Sequence, residues 1–287
     1  MPSELLLHRG LVDATGARHR RVSLRPLGGH EEAALAEAVS LDGGAPDERT
    51  VHEVLAACIE RLGGYRHVTA EHAAALTRGD RQRLALALRG IMLGDPLVLT
   101  LRCSSAACGE LADLELHVSS LLGGGATEPD PEPQWWAVET PDGVLHVRAP
   151  TGADDEACAG LPGGTAQRAG VLWDRLLDVG DPPAAWADLA PVTQQLLART
   201  LADSGTLPDL LFVSACPACG ALLELELDPF QLLARELALG ADRLLAEVHC
   251  LAFHYGWGEE AILALPRPRR WRYLELLRRQ LESRPLT

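Results

Sequence analysis

Leu210-Leu211-Phe212-Val213-Ser214-Ala215-Cys216-Pro217-Ala218-Cys219-Gly220-Ala221-Leu222-Leu223-Glu224-Leu225-Glu226-Leu227 decides how this chain reads. Two apolar runs flank Cys-x-x-Cys-Gly. Strand, paired cysteines and strand form a knuckle, a tight turn that aims two thiolates at one point. The same shape stands earlier in the chain. Val98-Leu99-Thr100-Leu101-Arg102 leads into Cys103-Ser104-Ser105-Ala106-Ala107-Cys108-Gly109, and Glu110-Leu111-Ala112-Asp113-Leu114-Glu115-Leu116 follows. A Leu-Glu-Leu follows each knuckle as an internal echo. Two knuckles supply four thiolates, the number that a closed tetrahedral zinc site takes, and both spacings suit structural zinc. Cys103, Cys108, Cys216 and Cys219 are therefore the candidate ligands of one structural Zn2+. Reduced thiols on two hairpins that have lost a metal site are the plainer alternative. A disulfide pairing is weaker, because nothing in the sequence points to an oxidising compartment.

The chain has 287 residues, 47% hydrophobic and 23% charged, which is enough for one large core or two modest ones. It shows no secretory leader pattern and no apolar run that would span a bilayer, so a soluble protein of a bacterial cytoplasm is expected, with no membrane partner. Its net charge of -14 argues against nucleic acid, whose binders present a basic face. Every cation is Arg, and Asn is missing as well, as in a GC-rich bacterial genome. Cys58, Cys158 and Cys250 lie outside the knuckles.

The expected fold is α+β and mostly helical, with several β-hairpins, two of them forming a zinc-ribbon-like unit of four cysteines. Residues 1–125 read as an N-terminal region carrying the first knuckle. Residues 126–205 read as an inserted α+β region, opened by an exposed Pro- and acid-rich linker at 126–133. Residues 206–287 hold the second knuckle and the C-terminal helices. Leu5 to Leu7 and Arg21 to Arg25 flank Asp13-Ala14-Thr15-Gly16 as an opening hairpin. The segment from His30 to Val39 reads as a helix. A second helix is expected from Arg49 to Leu62, with Val51, Val54, Leu55, Cys58 and Leu62 on one face, which makes Cys58 a core thiol. Asp80 is expected to cap a longer helix, with Leu84, Leu88 and Met92 inward. Pro141-Asp142-Gly143 marks a hairpin between Trp135-Trp136-Ala137-Val138 and Val144 to Val147. Asp228-Pro229 opens what reads as the longest helix, about 25 residues to Tyr255. In the last helix Trp271, Leu274, Leu277 and Leu281 are expected to face inward.

Enzymatic signatures are missing: no phosphate-binding Gly loop, nucleophile elbow or paired-His metal motif occurs. Gly123-Gly124-Gly125 lacks the Lys and Ser/Thr of a nucleotide loop. His249 and Cys250 read as core residues rather than ligands, as do His52, His72 and His254. The segment from Arg267 to Arg284 carries seven Arg against two Glu in an acidic chain.

Several segments, taken in order, resemble a known family. They are Leu76-Thr77-Arg78-Gly79-Asp80-Arg81 through Arg89, Leu93-Gly94-Asp95 with the first cysteine hairpin, and Val147-Arg148-Ala149-Pro150-Thr151-Gly152-Ala153-Asp154. The run then continues with Glu247-Val248-His249 to Tyr255-Gly256-Trp257, Glu260 to Pro266, and Arg269-Arg270-Trp271-Arg272-Tyr273-Leu274. The chain resembles the baseplate hub assembly chaperone family of T4-type contractile-tailed phages and related bacterial contractile injection systems. The resemblance spans nearly the whole chain and rests on the order of the segments. It implies a non-enzymatic assembly factor or minor component of a baseplate hub, with hub or spike proteins as partners and no catalytic residues. It leaves open whether the protein stays in the finished particle. The four-residue gap of the first knuckle departs from the shorter Cys-x-x-Cys form.

Arg and Trp are enriched at binding hot spots. Trp257, Arg269, Arg270, Arg272 and Tyr273 are accordingly the candidate partner-binding residues. The competing function is a zinc-ribbon regulator binding nucleic acid, favoured by the Arg-rich C-terminus and opposed by the acidity of the rest.

Overall fold

The computed structural model describes residues 4–39, 45–123, 134–162, 164–178, 185–204 and 210–282. The expected linker at 126–133 and residues 124 and 125 of the glycine triplet lie outside the described residues, as does Arg284. Strands β1 (Glu4–Val12) and β2 (Arg18–Leu24) form the opening hairpin, and β3 (Ile59–Leu62) adds to β2 to complete a three-stranded antiparallel sheet. Helices α1 (Gly29–Ala38), α2 (Glu48–Cys58), α3 (Ala70–Ala74) and α4 (Arg78–Leu93) pack on that sheet. The helix expected to run to Leu62 stops at Cys58, where the backbone turns extended at Ile59. Leu62 lies four residues after Cys58 and is buried in either conformation, so helical spacing alone could not separate the two. Cys58 is a core thiol whose pKa burial pushes up to about 12.

Asp80 does not cap α4. Thr77 does, accepting from the Asp80 N–H at 3.3 Å. The fully buried Asp80 carboxylate instead accepts the backbone N–H groups of His8, Arg9 and Gly10 at 2.7, 3.1 and 2.7 Å. These three residues sit where the β1–β2 register shifts between Leu6 and Leu11. A bulge frees backbone donors that must be satisfied elsewhere, and a residue of α4 satisfies them.

The first knuckle hairpin follows as β4 (Pro96–Arg102) and β5 (Leu111–His117), then the short α5 (Val118–Leu121). The next hairpin, β6 (Trp136–Thr140) and β7 (Gly143–Val147), falls where Pro141-Asp142-Gly143 places it. Helices α6 (Gly152–Ala159) and α7 (Thr165–Leu176) come next, and β8 (Leu177–Asp178) pairs with β7. With α8 (Pro191–Asp203) they enclose a second core of Val138, Val147, Leu176, Leu177, Leu189 and Leu197. This unit is sewn to the first through the start of α6. The Arg78 N–H donates to the Pro150 carbonyl, the Gly152 N–H donates to the Leu76 carbonyl, and the Arg78 guanidinium pairs with Asp155.

The second knuckle hairpin is β9 (Leu211–Ala215) and β10 (Leu222–Glu226). Asp228 then caps α9 (Pro229–Ala238), accepting from Phe230 and Gln231. Phe230, Leu233, Ala234 and Leu237 enter the N-terminal core, so residues more than 200 apart share one interior. The single long helix expected here is two helices. α9 ends at Ala238, and α10 (Ala241–Tyr255) starts again from Gly240 and packs against α12 (Arg267–Glu282). Glycine inside a helix costs about 1 kcal/mol relative to alanine, and tertiary packing takes the break. The short α11 (Glu259–Leu263) links α10 to α12. No helix among the described residues is long and apolar enough to cross a membrane.

Candidate metal centre

Alternation on the two knuckle hairpins aims the thiols. On β4, Leu97, Leu99 and Leu101 face inward, and Cys103 follows in the same phase. On β9, Leu210 and Phe212 face inward, and Cys216 follows. On β4 a period of two carries the apolar face straight into the first ligand, whereas on β9 the exposed Ser214 stands between Phe212 and Cys216 in the same phase. Both turns close alike. The Cys103 N–H donates to the Glu110 carbonyl and the Cys216 N–H to the Ala221 carbonyl, each at 2.8 Å. Gly109 and Gly220, one residue past each second cysteine, adopt φ of 66° and 75°. That left-handed conformation favours glycine and bends each chain back into its return strand.

The four sulfurs converge. Cys103 Sγ lies 3.6 Å from Cys219 Sγ, and Cys108 Sγ lies 3.8 Å from Cys216 Sγ. All four lie within 4.8 Å of one another. A tetrahedron with metal–sulfur bonds of about 2.3 Å has sulfurs about 3.5–4 Å apart. Disulfides, at about 2.05 Å, are excluded by these separations. Cys103 and Cys216 are buried, Cys219 is exposed, and Leu101, Ala112, Ala221 and Leu223 form an apolar floor. Four Cys therefore stand close together in a geometry that can hold a metal ion, and no His, Asp or Glu joins them among the described residues.

Electrostatics separate the thiols. The backbone N–H groups of Cys219 and Ala218 point at Cys216 and, with its neighbouring thiols, lower its pKa to about 7. The Glu110 N–H pulls Cys108 down, but removal from water and the other three sulfurs outweigh it and push Cys108 up to about 12. Cys103 is raised as well: the Ser105 N–H lowers it, and burial with the Cys219 and Cys216 thiols prevails. Crowded thiols lose their first proton easily and resist losing the rest, and a coordinated cation removes that resistance.

The candidate partner residues are not gathered in the same way. Arg269 and Arg272 are exposed, and Trp257 and Tyr273 are half-buried. Trp257, Tyr273 and Tyr255 pack on one another with ring centroids 4.9–6.0 Å apart, which leaves no room for a ligand between the rings. Arg270 cannot meet a partner: it is fully buried, pairing with Glu32 of α1 at 2.6 Å and Glu247 of α10 at 3.0 Å. Trp271 and Leu281, expected inward, are each 45% exposed. The Trp271 indole N–H donates to Glu247 at 2.6 Å, and its ring lies under the guanidiniums of Arg243 and Arg267. His249 and His254, expected in the core, lie on partly or fully exposed positions of α10, and Cys250 is half-buried.

Spacing in the sequence shows no sign of a cleft of about 700 Å³ between α4, α6, α7 and the start of α9. Four of its charges are committed to one another: Arg78 pairs with Asp155, and Arg81 pairs with Glu48 and Asp155. Burial lowers His52, beside this network, below the usual imidazole range, and Arg81 adds to the shift. Burial raises Glu48 against the attraction of Arg81. Only the three-dimensional fold brings these groups together.

Compared with protein-family models, with curated proteins and with solved structures, the chain matches none.

Proposed function

We propose that Cys103, Cys108, Cys216 and Cys219 bind one structural zinc ion, and that the protein is a non-enzymatic assembly factor or minor component of a contractile baseplate hub. The observation that carries the zinc reading is the convergence of four thiols from two hairpins whose nearest cysteines are 108 residues apart. Four sulfurs suit zinc or iron, and a site closed by four protein ligands has no open position for a reacting water. Its role is then to fasten, since a two-stranded hairpin is marginal in water by itself. The baseplate reading draws on the ordered resemblance described above. Arg269, Arg272, Trp257 and Tyr273 supply the exposed or half-exposed surface for a hub or spike protein. A nucleic-acid regulator is disfavoured by the charge of -14.

Elemental analysis of the purified chain tests the metal: one equivalent of zinc is expected, and less than about half an equivalent with all four thiols freely reactive rejects the site. Co-purification with the hub and spike proteins of a contractile baseplate tests the assembly role. Arg269→Glu together with Arg272→Glu should abolish capture while zinc content and melting temperature hold. Capture that survives both substitutions removes the partner surface, and a salt-sensitive shift of duplex DNA favours the regulator.

A further inference from the structure

The tip of the second knuckle stands in the open. Pro217, Ala218, Cys219 and Gly220 are all exposed, and a Cβ added at Gly220 would meet no atom within 4 Å. The other three thiols are sheltered: Cys103 is 4% exposed, Cys216 is 2% exposed, and Cys108 is half-buried. The thiol cluster therefore has one side closed by its apolar floor and one cysteine turned out to solvent.

A reagent arriving from solution meets Cys219 first. Oxidation of a cysteine follows its thiolate character and its exposure. Any sulfur that binds a cation is a thiolate, so exposure decides among the four. Cys219 also has a second sulfur at hand. Cys103 Sγ lies 3.6 Å away, on the other hairpin. Cys108 and Cys216 are matched across the hairpins in the same way, at 3.8 Å. Forming a bond of about 2.05 Å draws each pair together by less than about 2 Å. A poised second thiol captures a sulfenic acid before further oxidation makes the change irreversible.

We propose that Cys219 is the site at which peroxides modify this protein, and that it closes on Cys103 as a disulfide between the two hairpins. The Cys219 thiolate attacks the O–O bond of hydrogen peroxide, forming an S–O bond and releasing hydroxide. The Cys103 thiolate then attacks the Cys219 sulfur. The S–S bond forms, the S–O bond breaks, and a second hydroxide leaves. Two thiolates together lose two electrons, and one peroxide is reduced to two hydroxide ions. A zinc ion left with two of its four ligands is released, and a second peroxide joins Cys108 to Cys216. Both bonds cross between the hairpins, so the fastening outlasts the metal, whereas a bond within either knuckle would lose it. The release of the ion rests on the zinc reading; the pairing of the sulfurs rests on their separations and exposure alone.

Hydrogen peroxide titrated into the full chain, with peptide mapping by mass without reduction, tests the proposal. The 103–219 linkage should appear first and the 108–216 linkage second, with about one equivalent of zinc passing to a colorimetric chelator. Hydrogen exchange in β4, β5, β9 and β10 should stay slow after oxidation. In Cys103→Ser, dimedone should label Cys219 at least about tenfold more than Cys108 or Cys216. A first linkage at 216–219 or 103–108 overturns the proposal. So does sulfenic acid trapped at Cys108 before Cys219, or a native chain whose four thiols all survive peroxide that oxidises the urea-unfolded chain. A chain purified without zinc overturns the zinc reading alone, because the same mapping on the metal-free chain still decides the pairing.

Discussion

The thiol cluster and the Arg270 clasp do the same job by opposite means. Each ties together segments far apart in the chain: Cys103 to Cys219, and Arg270 to Glu32 across 238 residues. At the Arg270 site the protein supplies both signs of charge. At the thiol cluster it supplies only groups that become negative. The first clasp is therefore closed whenever the chain is folded, while the second, on the zinc reading proposed above, is closed by a cation from solution. Both carry desolvation costs. Burial raises Glu32 above its ordinary pKa even with Arg270 hydrogen-bonded to it. The clasp thus specifies an arrangement of α1, α10 and α12 more than it adds net stability.

Metal removal should have the largest effect. With zinc bound as proposed, the apparent free energy at stake is about 10 kcal/mol or more, from the range for structural zinc sites. A strong chelator, or Cys216→Ser, should abolish the protection of β4, β5, β9 and β10 against hydrogen exchange while α2 and α4 stay protected. Unchanged protection in all four strands would show that apolar packing alone holds the hairpins.

Arg270→Met comes next. It leaves Glu32 and Glu247 buried without their cation, which costs about 3–5 kcal/mol. The denaturant midpoint checks this, and a loss under about 1 kcal/mol would show that water or Arg243 takes over the clasp.

Asp154 gives a smaller effect with a pH signature. Burial alone would raise its carboxyl, but Arg148, the Thr151 N–H and the Thr151 hydroxyl hold it well below the usual carboxylate range. A folded pKa below the unfolded one, about 3.9, gives stability that is complete above about pH 5 and is lost as pH falls through the folded value. Asp154→Asn should cost about 1.5–3 kcal/mol at pH 7 and flatten the acid limb of the stability curve. Parallel acid limbs in variant and parent would contradict this.

The smallest change is next door to the largest Arg effect. Arg269→Ala should alter stability by less than about 0.5 kcal/mol, because the side chain is exposed. If its midpoint moves as far as that of Arg270→Met, the inside–outside assignment of α12 is reversed.

These contrasts follow what local sequence can carry. The thiol cluster is legible because hairpin alternation and turn glycines fix each pair of sulfurs within about ten residues of chain. The Pro141-Asp142-Gly143 hairpin and the Asp228 cap are local for the same reason. Asp80 is not legible, because a cap and a ligand of remote amides look alike three residues after Thr77. Leu62 satisfies helix and strand spacing equally. Arg270 stands among six other Arg, and only Glu32 and Glu247, placed by other helices, distinguish it. His249 and Trp271 lie on helices with apolar residues on more than one side, where period alone does not say which side is covered.

The position of the four cysteines also sets an order of events during synthesis. Cys216 leaves the ribosome 108 residues after Cys108. At about 5–20 residues per second, the first knuckle waits about 5–20 s for its other half. Throughout that interval it is a bare dithiol, open to oxidants and to softer metals such as copper. The rest of the hydrophobic interior is on a similar schedule, since Phe230, Leu233 and Leu237 complete the N-terminal core only after the second knuckle has emerged. Nascent chains stalled between residues 108 and 216 should therefore label at Cys103 and Cys108 with alkylating reagents, and chains released beyond residue 237 should not.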